Sequence, residues 1–161
     1  MNEEQGLFKS VIKPITIYWA GPLFTQAERI WNRICAECLR SRGYRVILPQ
    51  DRNLPLVNGK PDFDAIAKDC QEQAIEADVM VAVLDGPDSD SGTSLEVGLK
   101  IQDKGIVIGV RTDFRSSEDG QLNAMFRLVR KLIYFPSFSE AYEQFCVQID
   151  EAIRDCIPTV H

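Results

Sequence analysis

Val79-Met80-Val81-Ala82-Val83-Leu84 is six apolar residues in a row, closed by the turn-forming Asp85-Gly86-Pro87. A strand with one wet face alternates apolar and polar residues, whereas a strand covered on both faces does not. This run therefore reads as a central strand between two helical layers. Ile106-Val107-Ile108-Gly109-Val110 repeats the signature, and a helix over about Thr93–Gln102 lies between the two. Strand, crossover helix and buried strand in succession are the unit of a parallel sheet.

Working outward, the same alternation covers the rest of the chain. Towards the N-terminus, Ile15 to Trp19 is rich in β-branched and aromatic residues and stops at Ala20-Gly21-Pro22, as a first strand would. Thr25 and Glu28 form a capping box that opens a helix, with Ile30, Ile34 and Cys38 spaced by four and Trp31 alongside, ending near Gly43. Tyr44–Leu48 is a second strand. Residues 51–61, with two prolines, Asn53, Asn58 and Gly59, read as the longest loop, and Asp62–Glu76 as a helix with Ile66, Cys70, Ala74 and Ile75 inward. Towards the C-terminus, a polar loop (111–121) leads to a short helix near Leu122–Arg130 and a strand at Leu132–Phe135. A final helix carries Phe138, Tyr142, Phe145, Ile149 and Ile153 on one face. Residues 1–13 are a polar lead-in. The expectation is a single α/β domain over residues 1–161: a doubly wound, five-stranded parallel sheet, flavodoxin-like in its order 2-1-3-4-5. In such sheets ligands bind at the carboxyl ends of the strands, where the order reverses, which here joins the loops after Trp19 and Leu84.

Composition narrows the chemistry. The net charge of −6 and the short basic stretches leave no basic face for a nucleic acid polymer. No apolar run reaches a membrane span, the polar start is unlike a signal peptide, and five cysteines suit reduced thiols in a cytoplasm. The sole histidine, His161, is the last residue, so His-based triads and His metal sites are excluded. Carboxylates, hydroxyls, amides and thiols remain. Cys35-Ala-Glu-Cys38 lies inside an amphipathic helix with no second pair and reads as core cysteine rather than a redox or zinc motif. Asp88-Ser-Asp90-Ser-Gly92 fails as a calcium loop, because its glycine comes one place early and its twelfth position is Leu99. There is no GxGxxG or Walker sequence. A receiver domain would need an acidic pair after the first strand, where Trp19-Ala-Gly-Pro22 stands.

Glu96 has two readings. Thr93-Ser-Leu-Glu96 fits a second capping box, which would make the glutamate a helix tie. In the first turn of a helix at the carboxyl edge of the sheet, it is equally an ionised carboxylate aimed into the crevice, able to attack an anomeric carbon.

The quoted motifs carry a family likeness. Ile17-Tyr-Trp-Ala-Gly-Pro-Leu-Phe-Thr-Gln-Ala-Glu28 resembles the opening motif of the nucleoside 2-deoxyribosyltransferases, and Asp90-Ser-Gly-Thr-Ser-Leu-Glu-Val-Gly98 resembles their nucleophile motif. Lys68-Asp69, the strand 78–85 and Asn123-Ala-Met125 continue the likeness over roughly residues 15–126. It implies a retaining double displacement that moves a 2-deoxyribosyl group between nucleobases. By that likeness Glu96 is the nucleophile, Asp69 the proton partner of the base, and Tyr18 the residue that orients Glu96. Asp90 binds the sugar hydroxyls, and Gly21 and Gln50 belong to the substrate site, Gln50 as a bidentate amide for the base. Asn123 and Met125 are lent by a neighbouring subunit of a homo-oligomer. Implied substrates are deoxynucleosides and free nucleobases, with no metal or cofactor. Residue by residue, plainer roles compete: Tyr18 as core, Asp69 as a solvated helix residue, Asp90 as a turn former and Asn123 as a helix cap. Asp113-x-Arg115 reads as a surface ion pair or a loop latch. The chain departs from the family at its end, where an amphipathic helix and Pro158-Thr-Val-His161 stand instead of a tail over the active site.

Two further functions fit the pattern. One is hydrolysis of deoxynucleoside 5′-monophosphates, which needs serines and an arginine just after the first strand to hold the dianion. Ala20-Gly-Pro-Leu-Phe24 offers none before Thr25 and Arg29. The other is a non-catalytic nucleotide sensor, which would keep the pocket without needing Glu96.

Overall fold

The computed structural model describes residues 13–113, 115, 122–135 and 140–157. Phe138, His161, residues 1–12 of the lead-in and most of the loop 111–121 lie outside the described residues.

Five parallel strands form the main sheet: β1 (Thr16–Ala20), β2 (Arg45–Ile47), β5 (Val79–Val83), β6 (Ile106–Arg111) and β7 (Lys131–Tyr134). Their spatial order is β2-β1-β5-β6-β7, so the chain starts in the middle, winds one way, then reverses between β1 and β5. Leaving aside a separate two-stranded hairpin, this is the expected 2-1-3-4-5. Tyr18 pairs with Met80 and Ala20 with Ala82, which sets the two strands of the switch point in register.

Both faces of the sheet are covered, as the unalternating strands require. On one face lie α1 (Gln26–Ser41) and α4 (Tyr142–Cys156), packed on Ile17, Trp19, Val79, Val81 and Ile108. On the other face Tyr18, Ala20, Met80, Ala82 and Val107 meet Ala74 of α2 (Phe63–Glu76) and Val97 of α3 (Ser91–Gln102). Phe145, Ile149 and Ile153 of α4 are fully buried, as their spacing predicts, and Trp31 stacks on Phe145 at 5.6 Å between ring centroids.

Three expectations need correction. The buried stripe of α1 is Asn32, Cys35, Ala36 and Leu39, and Ile30 is 57% exposed. The stripe is rotated because a polar residue, Asn32, is drawn inward by a hydrogen bond from Trp19, while the small Ala36 lets helix and sheet approach. Within the expected long loop, a 3-10 turn (Pro49–Asp51) precedes a hairpin of β3 (Leu56–Val57) and β4 (Lys60–Pro61). Its turn is Asn58-Gly59, both at positive φ (53° and 75°), a strong short-range hairpin signal within the stretch expected to be loop. The short helix expected at Leu122–Arg130 is a 3-10 helix, Ala124–Leu128, started by Asn123.

Among the polar groups taken into the core is Lys100 of α3. Its Nζ donates to the carbonyls of Ile75 (2.7 Å) and Ala77, closing the C-terminus of α2, and burial pushes its pKa down. No helix among the described residues is long and apolar enough to cross a membrane.

Candidate active site

Successive residues of a strand point to opposite faces, so β1 sends Tyr18 to the α2–α3 side and Trp19 to the α1–α4 side. Tyr18 is 1% exposed, and its hydroxyl donates to Oε1 of Glu96 at 2.8 Å. Burial holds that hydroxyl protonated far beyond the ordinary tyrosine range, with the Glu96 carboxylate adding to the effect. Cys70 of α2 completes the contact. Its thiol lies against Tyr18 and is kept as a thiol chiefly by burial.

Glu96 is neither a cap nor a first-turn residue. The N-cap of α3 is Asp90, whose Oδ2 accepts from the Thr93 amide (2.8 Å) and hydroxyl (3.1 Å), so Glu96 falls in the second turn. The helix-end field expected to favour its charge is out of reach there. Burial instead pushes its pKa from 4.5 to about 7; the Tyr18 hydrogen bond opposes the rise and the negative charge of Asp90 adds to it. The result is a carboxyl poised between acid and nucleophile near neutral pH.

Asp69 precedes Cys70 on α2, and its Oδ1 is held at 2.6 Å by Nη2 of Arg52, which follows the 3-10 turn Pro49–Asp51. Sequence reasoning passed over Arg52, since an arginine in a proline-rich loop carries no pattern. The charges of Glu96, Asp69 and Arg52 all act on Cys70, so these side chains lie on the α2 side of Tyr18.

Among the described residues, no hydrogen bond joins Gln50, Gly21, Asn123 or Met125 to the Tyr18–Glu96 pair. Gln50 and Asn32 form a network on the Trp19 side. Trp19 Nε1 donates to Asn32 Oδ1 (3.0 Å), Asn32 Nδ2 donates to the Pro22 carbonyl (2.8 Å) and to Gln50 Oε1 (3.3 Å), and Gln50 Nε2 donates to the Arg29 carbonyl (2.7 Å). These bonds use one proton and one lone pair of the Gln50 amide, leaving one of each by valence. Gly21 sits where a Cβ would meet Val83 Cγ2 at 3.1 Å, so the turn into this network has room for little else. Asn123 caps its 3-10 helix through the Met125 amide at 3.0 Å, and the Met125 side chain is 67% exposed. Both line a groove of about 480 Å³ walled by Val97, Gly98, Ile101 and Phe126.

Asp113 and Arg115 act as a latch. Their own ion pair (2.7 Å) holds the Asp113 carboxyl well below the usual range, and Asp113 also accepts from the Gly86 amide at 3.1 Å. In return Asp85 accepts from the amides of Thr112 (2.6 Å) and Asp113 (2.9 Å), while buried Arg111 donates to the carbonyls of Leu84 (2.6 Å) and Gly86 (2.9 Å). The loops after β5 and β6 are thereby pinned together, and the first of them leads to Asp90 and α3. Gly86 is needed at this bend: its φ is +102°, and a Cβ would lie 2.9 Å from the Asp88 carbonyl.

The N-terminus of α1 is closed from within. Thr25 Oγ1 accepts from the Glu28 amide (3.2 Å), and Glu28 Oε2 accepts from the amides of Thr25 (2.7 Å) and Phe24 (2.9 Å). Among the described residues, no three His, Cys, Asp or Glu side chains are grouped to hold a metal ion.

No curated protein sequence matches the chain. Among solved structures, a conserved protein from Enterococcus faecalis V583 superposes with a TM-score of 0.71 at 25% identity, covering 87% of this chain and 99% of its own. A 2-deoxyribosyltransferase from Bacillus psychrosaccharolyticus gives 0.62 at 23% identity, covering 81% and 89%. A CMP N-glycosidase from Clostridium botulinum gives 0.59 at 15% identity, covering 84% and 98%. The last two likenesses speak for the fold. The sequence profile of a family of nucleoside and nucleobase enzymes matches residues 17–129, more than two thirds of the chain. With that match, and with a fold shared by transferases and an N-glycosidase, the chain belongs to the nucleoside 2-deoxyribosyltransferase family.

Proposed function

We propose that the protein transfers a 2-deoxyribosyl group between nucleobases through a covalent ester on Glu96. The observation that carries this reading is the Tyr18–Glu96 pair at the switch point of the sheet: a buried carboxyl with a pKa of about 7, held by one oxygen. In the first displacement the free oxygen of ionised Glu96 attacks C1′ and the C1′–N bond breaks, its electron pair leaving with the base. Asp69 gives that base a proton. In the second, an incoming base attacks C1′ from the other side, returns a proton to Asp69 and releases the Glu96 carboxylate. Two inversions give net retention. Tyr18 orients Oε1 and favours the carboxylate at the moment it is needed.

Asp90 serves the sugar hydroxyls, with its Oδ2 fixed by Thr93 so that the carboxylate cannot swing. The spare proton and lone pair of Gln50, beside the Gly21 turn, address the base. Asn123 and Met125 complete the site of a second copy in a homo-oligomer. The exposure of Met125 and the apolar groove beside it support that role. No metal or organic cofactor takes part, and the enzyme works in the cytoplasm.

The donors that a 5′-phosphate would seek after β1 favour transfer between unphosphorylated nucleosides over monophosphate hydrolysis. The Phe24 and Thr25 amides are already taken by the Glu28 carboxylate, and Thr25 Oγ1 is spent as the cap. A carboxylate at that helix end repels a dianion.

The test is a chromatographic assay with a deoxynucleoside donor, run with and without a second free base. New deoxynucleoside that forms only with the acceptor and vanishes in Glu96→Ala is the expected result. Base released at the same rate without acceptor would instead point to hydrolysis. No turnover, with normal ligand binding by Glu96→Ala, would make the protein a sensor.

A further inference from the structure

The Arg52–Asp69 pair has no place in the sequence pattern, yet it holds the residue on which the departing base depends. Arg52 is carried on a firm base: its amide donates to the Pro49 carbonyl at 3.2 Å, and the adjacent Asp51 is tied to Arg40 at 3.3 Å. Its guanidinium meets Asp69 Oδ1 at 2.6 Å with the two side chains 41% and 36% exposed. A pair so open to water contributes little to stability. Asp69 is followed on α2 by Cys70, which lies against the Tyr18 hydroxyl that holds Glu96, so the pair stands next to the candidate nucleophile.

We infer that Arg52 is a positioning residue for Asp69, and this rests on the transfer reading above. By holding Oδ1 it turns the other oxygen towards the base. The same hydrogen bond to Oδ1 serves the neutral acid, whose proton sits on the other oxygen, and becomes an ion pair with the Asp69 carboxylate once that proton has gone to the departing base. That carboxylate persists while the glycosyl-enzyme waits, until the incoming base gives its own proton back. Proton and charge are therefore balanced over the two half-reactions, with Arg52 unchanged throughout.

The consequence is a dependence on the leaving base that a purely structural residue would not produce. An ordinary deoxynucleoside needs a proton partner as its base departs. A 7-methylated 2-deoxyguanosine already carries a positive charge on its base and departs without one. Arg52→Met and Arg52→Lys are to be assayed with both donors, alongside thermal unfolding of each variant. Arg52→Met should lower kcat for the ordinary donor about ten- to a hundredfold, a part of the roughly 10²–10⁴-fold that proton-transfer assistance supplies. It should leave kcat for the methylated donor within about threefold, and Arg52→Lys should recover part of the loss by keeping the charge without the fork. Unfolding should be unchanged in both.

Equal slowing of both donors, a rise in KM alone, or no effect on either would overturn the role of Arg52 while leaving Glu96 as nucleophile. Loss of fold in Arg52→Met shifts the decision to the lysine variant, whose two donors must still separate. Turnover that survives Glu96→Ala would overturn the transfer reading itself, as would no turnover of either donor by the unaltered protein.

Discussion

Tyr18 and Trp19 are neighbours on one strand, both 1% exposed, and each gives its one polar hydrogen to a residue on a helix. Trp19 gives it to Asn32, an amide that bonds onward to Pro22 and Gln50 and whose state does not change with pH. Tyr18 gives it to Glu96, a carboxyl that burial has moved to the middle of the physiological range. The Trp19 side is a neutral network that ties α1 to the loops after β1 and β2. The Tyr18 side keeps a destabilised charge, which folding alone would not select. A partnered polar group in a core says little about function until one asks which protonation state the fold disfavours.

The sharpest way to break this contrast is Glu96→Gln, which keeps the shape and can still accept from Tyr18. Activity should fall by about 10⁴-fold or more, as for other lost nucleophiles. Stability should move the other way. Folding raises this carboxyl, so its contribution is fully present below pH 4.5 and is lost as pH rises towards 7. Above that the buried charge costs up to about 3 kcal/mol. Thermal unfolding at about pH 8 should find the glutamine variant more stable, and at about pH 4 no more stable than the parent. A variant less stable at pH 8 would remove the claim that Glu96 is held at a cost.

Tyr18→Phe sharpens the comparison next. In the unaltered protein kcat/KM should rise with pH through a midpoint near 7, because the nucleophile must be ionised. Removing the hydroxyl that favours the carboxylate should raise the midpoint by about one pH unit and slow the reaction about tenfold at neutral pH. A pH–rate profile settles it: an unmoved midpoint would make Tyr18 a packing residue like its neighbour.

Asn32→Ala is the matching change on the other side. It leaves Trp19 Nε1 buried without its acceptor, so chemical denaturation should show a loss of about 1–3 kcal/mol. The midpoint of the pH–rate profile should stay put. If it moved, the two faces of the strand would be coupled, and the contrast too simple.

The smallest stability effect is expected from Met125→Ala. With 67% of the residue exposed, unfolding should change within about 0.5 kcal/mol. Activity should nonetheless fall, in step with a lower-mass species in sedimentation, if this side chain completes a second copy's site. Unaltered activity and mass would leave it an ordinary surface methionine.

Much of this was legible from residue order alone. Unbroken apolar runs at Val79–Leu84 and Ile106–Val110, short and closed by turn residues, read as strands covered on both faces, and their alternation with helices pointed to the sheet, its order and its switch point. Residue types narrowed the kind of chemistry, since one terminal histidine leaves carboxylates, hydroxyls, amides and thiols, while it is the motif likeness that singles out Glu96, Asp69 and Asp90 among 24 acidic residues. Asn58-Gly59 is an equally readable hairpin signal inside the stretch 51–61.

Only the tertiary structure decided the states and partners of those groups. Helical spacing cannot say whether α3 begins at Asp90 or Thr93, yet that choice moves Glu96 from a helix end that would favour its charge to a burial that opposes it. Nor can local pattern pair Arg52 with Asp69, seventeen residues apart, or bind Asp85 to Thr112 across two loops. Periodicity reports which face of an element avoids water. Protonation and pairing depend on the distances and screening between elements, and those exist only once the chain has folded.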